Sequence, residues 1–231
     1  PCIVMELVEG DTVSAVLKRE GRLRPEAARP LIGQLLEALC EAEGLGLLHR
    51  DLKPENLVVD QGPDGPLLRV LDFGIVKYLD PELGTVGQTN TGTVFGTPEF
   101  MSPEQVRGEP TIDHRSDQFS AGVCAFAMVT GQLPFVGKTP QQNMISRLMT
   151  PARRVRDLRP DAPTRLAEVI DRMLALDAGH RFPSAAEALA ALVEEAPAAI
   201  ETPALAPAAP KANPTTRAVL GAAAFLSAML A

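Results

Sequence analysis

The chain is poor in cysteine. It has three in 231 residues, Cys2, Cys40 and Cys124, widely spaced and with no C-x-x-C pair. That excludes a disulfide framework and a zinc site built on paired cysteines, and leaves the three as small buried hydrophobes of a reducing compartment. A surplus of basic charge is also lacking: 22 Lys and Arg stand against 29 Asp and Glu, for a net charge of −7. A surface that neutralises nucleic-acid phosphates needs clustered cations, so no nucleic-acid partner is expected. The opening run Pro1-Cys2-Ile3-Val4-Met5 has no basic region before it, which argues against a secretory signal, and it reads as a strand entered partway. What is present, 45% apolar and 22% charged residues, fits an ordinary globular core.

The periodicity predicts a mainly helical α+β chain. Ile3 to Val8 reads as a buried strand, broken by Gly10 and Asp11, with a short amphipathic helix from about Thr12 to Glu20. Pro25 suits the first turn of a longer helix in which Ala28, Leu31, Ile32, Leu35, Leu36 and Leu39 repeat at three- and four-residue spacing. Pro30 is tolerable only near the start of that helix. Leu57 to Val59 and Leu67 to Leu71 read as two strands of a hairpin with a loose, turn-rich loop between them. Beyond residue 110 the strand signals stop, and helical spacing around 116–130, 139–149, 163–175 and 184–195 predicts a helical bundle.

Residues 194–216 read as a disordered linker, since 196–216 alone contain five prolines and eight alanines and almost no large side chains. Residues 217–231 follow with Arg217 and then an uncharged apolar stretch. It reads either as the start of a transmembrane helix, with Arg217 on the cytoplasmic side, or as a frayed Ala-rich tail.

Two loops carry the chemistry. His49-Arg50-Asp51-Leu52-Lys53-Pro54-Glu55-Asn56 lies between a helix and a strand, and Asp72-Phe73-Gly74 follows the second strand, sixteen residues after Asn56. Acidic groups and an Asn at the ends of a hairpin suit holding a divalent metal against phosphate oxygens. The ordered pair, HRDLKPEN then DFG, resembles the catalytic and metal-binding loops of the protein kinases. The resemblance implies a protein-kinase-like large lobe over residues 1–193, with Asp51 accepting the proton of the substrate hydroxyl and Lys53 neutralising charge on the transferring phosphoryl group. Asn56 and Asp72 would bind magnesium, and ATP would be the phosphoryl donor. Lys two residues after the catalytic Asp is similar to the Ser/Thr branch, so the substrate would be a protein Ser or Thr. His49 and Phe73 would pack as an apolar spine.

The Gly- and Thr-rich stretch from Gly74 to Glu104 resembles an activation segment, closing with Gly96-Thr97-Pro98-Glu99-Phe100-Met101-Ser102-Pro103-Glu104. By that resemblance Thr97 would bond toward Asp51 and Lys53, Glu104 would pair with Arg181, and Ser102 would be a harmless stand-in for the commoner Ala. Thr89 and Thr91 are the expected autophosphorylation sites, with Thr85 and Thr93 behind them, and Arg50 and Lys77 would belong to the pocket that receives the phosphate. Asp117 resembles the carboxylate that holds the catalytic-loop backbone; read from position alone it is a helix cap, and both roles remain open. Met5-Glu6-Leu7-Val8 resembles the inter-lobe hinge, with Met5 as gatekeeper, Glu6 and Val8 bonding the adenine edge, and Val58 beneath the adenine ring.

A kinase also needs a Gly-rich loop, a strand Lys and a helix Glu, and none occurs here. The expectation is therefore a fragment of an ATP-dependent protein Ser/Thr kinase without its small lobe, cytoplasmic and tethered to the membrane. It would act on protein substrates and pair with a second copy for trans-autophosphorylation. The alternatives are a pseudokinase or scaffold lobe and, more remotely, a small-molecule phosphotransferase.

Overall fold

The chain begins its regular structure with strand β1 (Asp11–Thr12), which hands directly to helix α1 (Val13–Glu20). In this computed structural model residues 6–62, 65–73, 98–137 and 139–194 are described. Met5, Gly74, Lys77, Thr85, Thr89, Thr91, Thr93, Thr97, the linker and the apolar stretch at 217–231 lie outside the described residues.

α1 starts where Thr12 caps it, its hydroxyl accepting from Ala15 N at 3.1 Å, and stops at Gly21 with φ 76°. α2 (Pro25–Gly44) begins at Pro25, whose missing N–H is no loss at that position, and its apolar stripe is buried along its whole length. Pro30 sits beyond the first turn, inside the helix. It is accommodated because it faces solvent, where the Glu26 carbonyl it leaves without a helical donor can bond to water.

β2 (Leu57–Gly62) and β3 (Gly65–Val70) pair antiparallel from Leu57↔Val70 to Gly62↔Gly65, and β1 adds to the other edge of β2. The pairing extends through Gln61↔Pro66 and Gly62↔Gly65, so the strands take in residues that the sequence assigned to the loop. Glu6 to Val8 form no strand: no described segment pairs with their backbone, and an apolar run acquires strand geometry only beside a partner.

The remaining described elements are helical: α3 (Pro103–Arg107), α4 (His114–Thr130), α5 (Pro140–Met149), α6 (Val155–Leu158), α7 (Thr164–Met173) and α8 (Ala185–Val193). The compact unit ends at Glu194. No helix among the described residues is long and apolar enough to cross a membrane.

α4 is the central element. Every residue from Ser116 to Thr130 is buried, with α2 and α7 both packed on the helix, which has no solvent face along this stretch. Gly122 lets α7 approach, since a Cβ there would lie 3.0 Å from Met173 Cβ. Cys124 sits on this helix with no exposure, and burial pushes its thiol up, so it acts as a small hydrophobe. Cys40 is half-buried.

α4 ends at Gly131, with φ 73°, where a Cβ would come within 2.5 Å of the Gly21 carbonyl oxygen. Gly46 shares the left-handed backbone, φ 67°, but a Cβ there meets nothing within 4 Å. Gly46→Ala is therefore expected to cost about 1 kcal/mol, the left-handed strain alone, and Gly131→Ala roughly 3 kcal/mol, strain plus a backbone clash. Urea unfolding of the two variants measures the difference; equal midpoints would remove the clash as a constraint.

Candidate active site

The catalytic-loop sequence is held from below by one side chain of the central helix. Asp117 is 4% exposed, and its two carboxylate oxygens accept from consecutive backbone N–H groups, His49 at 2.6 Å and Arg50 at 2.8 Å. Burial pushes the Asp117 carboxyl up, and the N–H bonds from Arg50 and His49 pull against that. The capping role belongs elsewhere: Asp113 is the N-cap of α4 and accepts from Arg115 N at 2.9 Å. Asp117, one turn in, is left to serve the loop.

From this anchor the loop folds on itself. Asp51 N donates to His49 Nδ1 at 3.3 Å, so the ring proton is on Nε2, which donates to the Leu71 carbonyl at 2.9 Å. Both ring nitrogens are committed to structure, and the ring packs against Phe73 with centroids 4.9 Å apart. Lys53 Nζ lies 2.8 Å from Asp51 Oδ2, with both side chains partly open to solvent. Asn56 Nδ2 donates to the Asp51 carbonyl at 2.9 Å, which orients the amide and leaves its Oδ1 as an acceptor.

The second loop is joined to the first by backbone. Leu71 N donates to the Asn56 carbonyl at 2.8 Å, continuing the β2–β3 pairing past its end, and so Asp72 emerges beside Asn56. Asp72 is exposed. Arg50 and Asp72 have φ of 63° and 53°, and they are the only non-glycine residues with positive φ among the described residues. Left-handed backbone at two such positions marks strain held by the surroundings, here on both acidic loops.

The donor set suits a hard divalent cation. Magnesium takes oxygen ligands and is commonly held by one or two protein groups while keeping water and phosphate oxygens as its others. The Asn56 Oδ1 and Asp72 carboxylate have the chemistry of such a pair, whereas no group of three or more His, Cys, Asp or Glu among the described residues would make a dedicated cage.

Other expected site residues are placed as follows. Glu6 and Val8 line a cavity of about 520 Å³ together with Leu45, Leu47, Leu71, Asp72 and Phe73 among others. Val58 is 4% exposed and faces Gly10, where a Cβ would come within 3.1 Å of Val58 Cγ1. Glu104 and Arg181 form a buried bidentate pair, Nη1 to Oε1 at 2.6 Å and Nη2 to Oε2 at 2.9 Å. Arg181 also donates to the carbonyls of Arg115, Ala175 and Leu176.

Ser102 is more than a stand-in for Ala. It is fully buried, caps α3 in a reciprocal capping box with Gln105, and meets Ser116 Oγ at 2.8 Å. Gln105 then donates to the Arg50 carbonyl at 2.9 Å, tying α3 to the catalytic loop. The S-x-x-Q spacing of Ser102 and Gln105 carries the signal for the box; the bond to Arg50 leaves no local trace.

The family model described as a protein kinase domain matches residues 1–192. Similar relatives include the serine/threonine-protein kinase pkn2 of Myxococcus xanthus, 39% identical over 82% of this chain and 23% of the relative's length. The serine/threonine-protein kinase pkn3 of the same organism is 39% identical over 74% of this chain and 31% of its own length. The serine/threonine-protein kinase PknB of Mycolicibacterium smegmatis is 35% identical over 84% of this chain and 30% of its own length. The chain thus spans less than a third of the length of these relatives.

Asp117→Asn is expected to turn an amide N–H₂ toward one of two N–H donors, at a cost of about 2–3 kcal/mol. Hydrogen exchange at the His49 and Arg50 amides checks it: both should exchange faster in the variant, and unchanged protection would remove Asp117 as the loop's anchor.

Proposed function

The chain belongs to the protein kinase domain family, and on that premise we propose that it is the large-lobe part of an ATP-dependent protein serine/threonine kinase. The observation that carries the reading is the linked set Asp51, Lys53, Asn56 and Asp72, held by Asp117 and by the Leu71–Asn56 backbone bond. Asp51 accepts the proton of a substrate Ser or Thr hydroxyl. Lys53, already beside it, keeps the carboxylate oriented and offers positive charge to the phosphoryl group in transfer. Asn56 and Asp72 hold magnesium, which when bound neutralises charge on the phosphate oxygens of ATP. Glu6 and Val8 bond the adenine edge, with Val58 beneath the ring; their support is the resemblance of the stretch to a hinge.

A preceding small lobe supplies the Gly-rich loop, the strand Lys and the helix Glu, which have no match in these 231 residues. Two observations support it. The relatives are more than twice as long, and Leu45 and Leu47, 74% and 43% exposed, present apolar surface at the cavity beside Asp72. Thr97 is assigned to the catalytic set with Asp51 and Lys53, on the resemblance of residues 96–104 to the family's closing motif. Thr89 and Thr91 are autophosphorylated in trans by a second copy, toward Arg50 and Lys77. Residues 194–216 link the domain to a membrane helix that starts at 217–231; their composition supports this.

The test is phosphoryl transfer from labelled ATP with magnesium by the full-length protein. Incorporation into protein Ser or Thr is expected, lowered about 10³-fold by Asp51→Asn and abolished by chelating the metal. A folded full-length protein with no incorporation would leave the scaffold reading in place of the enzyme.

A further inference from the structure

Resting on the kinase reading, we propose that Arg147 of α5 is a positioning residue that sets the substrate-facing segment Pro98–Met101 by bonding its backbone carbonyls. Arg147 is 1% exposed. Its guanidinium donates through Nη1 to the Pro98 carbonyl and, at 3.2 Å, to that of Met101, and through Nη2 to the Glu99 carbonyl at 2.7 Å. The remaining carbonyl of the run, Phe100, accepts from Ser120 Oγ of α4 at 2.7 Å. All four carbonyls from 98 to 101 are thus met by side chains. The segment belongs to no sheet, and three of its four carbonyls are set by one cation.

Stability alone does not account for such a residue. No carboxylate pairs with Arg147 among the described residues, its Nε–H finds no acceptor there, and burial pushes its guanidinium down to about 10, with Glu99 opposing. A buried charge without a counter-charge is a costly way to hold two elements together compared with apolar packing. What it supplies is geometry: a rigid planar fork that fixes several acceptors at once.

The segment it fixes bears on the substrate. Phe100 lines a cavity of about 270 Å³ together with Pro54 and Glu55, which follow Asp51 and Lys53 on the catalytic loop. On the kinase reading this cavity, three and four residues along the loop from Asp51, is where residues flanking the acceptor hydroxyl would meet Phe100, and the position of Phe100 follows from the carbonyls on either side of it. Arg147 is itself braced, its Cζ 5.4 Å from the Phe135 ring centroid, and Phe135 stacks on Phe119 at 5.8 Å. Arg181 closes the other side, its Cζ 4.9 Å from the Phe119 centroid. Two buried arginines thus flank one aromatic pair, Arg181 holding Glu104 and Arg147 holding the residues just before it.

The test compares full-length wild type, Arg147→Met and Arg147→Lys, with myelin basic protein as acceptor. In Arg147→Met the acceptor KM should rise about tenfold while kcat and the KM for ATP stay within about twofold, because the segment and not the reacting atoms is displaced. Arg147→Lys, which keeps the charge but not the fork, should fall between. Hydrogen exchange at residues 99–102 should quicken in both variants, with protection at His49 and Arg50 unchanged. If Arg147→Met does not fold, Arg147→Lys and Ser120→Ala, which removes the single Phe100 bond, carry the same comparison. An unchanged acceptor KM with unchanged exchange would overturn the proposal, as would a parallel loss for ATP and acceptor together with a lowered Tm. Wild type that transfers no phosphate, while exchange at 99–102 still responds to Arg147, would sink the kinase reading and leave the positioning intact.

Discussion

A carboxylate carried into the interior by a helix with no solvent face must find donors there, and Asp117 finds them in two successive peptide N–H groups of another segment. Everything in the site descends from that constraint. With His49 and Arg50 fixed, the His49 ring reaches both Asp51 N and the Leu71 carbonyl, Asn56 closes on Asp51, and Leu71 closes on Asn56. The two loops are therefore not independent structures that happen to be close. They are one hydrogen-bonded unit seated on α4, and the core that buries α4 also defines where Asp51 and Asp72 stand.

Residues 98–104 are held by different means. Glu104 is matched by a buried guanidinium in a bidentate pair, and the residues just before it by a guanidinium whose hydrogen bonds among the described residues all go to carbonyls. Between the two cations lie Phe119 and Phe135, so the charges are separated by apolar rings rather than by water. The arrangement puts electrostatics where directionality is needed and leaves bulk cohesion to packing.

Much of this was legible in the sequence, for reasons that differ by element. The stripe Ala28 to Leu39 reports a buried helix face directly, and the order of HRDLKPEN and DFG points to the protein kinase domain family, because both signals are local. α3 and α6 are too short for a period to register. Glu6 to Val8 read as a strand on composition, but pairing is a property of two segments and composition belongs to one. Arg147 is harder still. A cation on a helix of mixed polarity reads as a solvated face, and its burial is decided by carbonyls 46 to 49 residues earlier. Asp113 and Asp117, four residues apart at one helix start, carry the same letter and divide the cap from the anchor only through which side of α4 faces the loop.

Arg50 and Asp72, one beside each acidic loop, adopt a backbone that glycine or asparagine would enter at less cost. Selection for resistance to heat or denaturant would therefore favour replacing these two residues, since the backbone strain would be relieved at once. Selection on the proposed work of the site would oppose the exchange at Asp72, because it removes the carboxylate assigned to the metal. Directed evolution of this domain under a purely thermal screen would drift toward variants that are sturdier and idle, and the two positions give an early sequence marker of that drift.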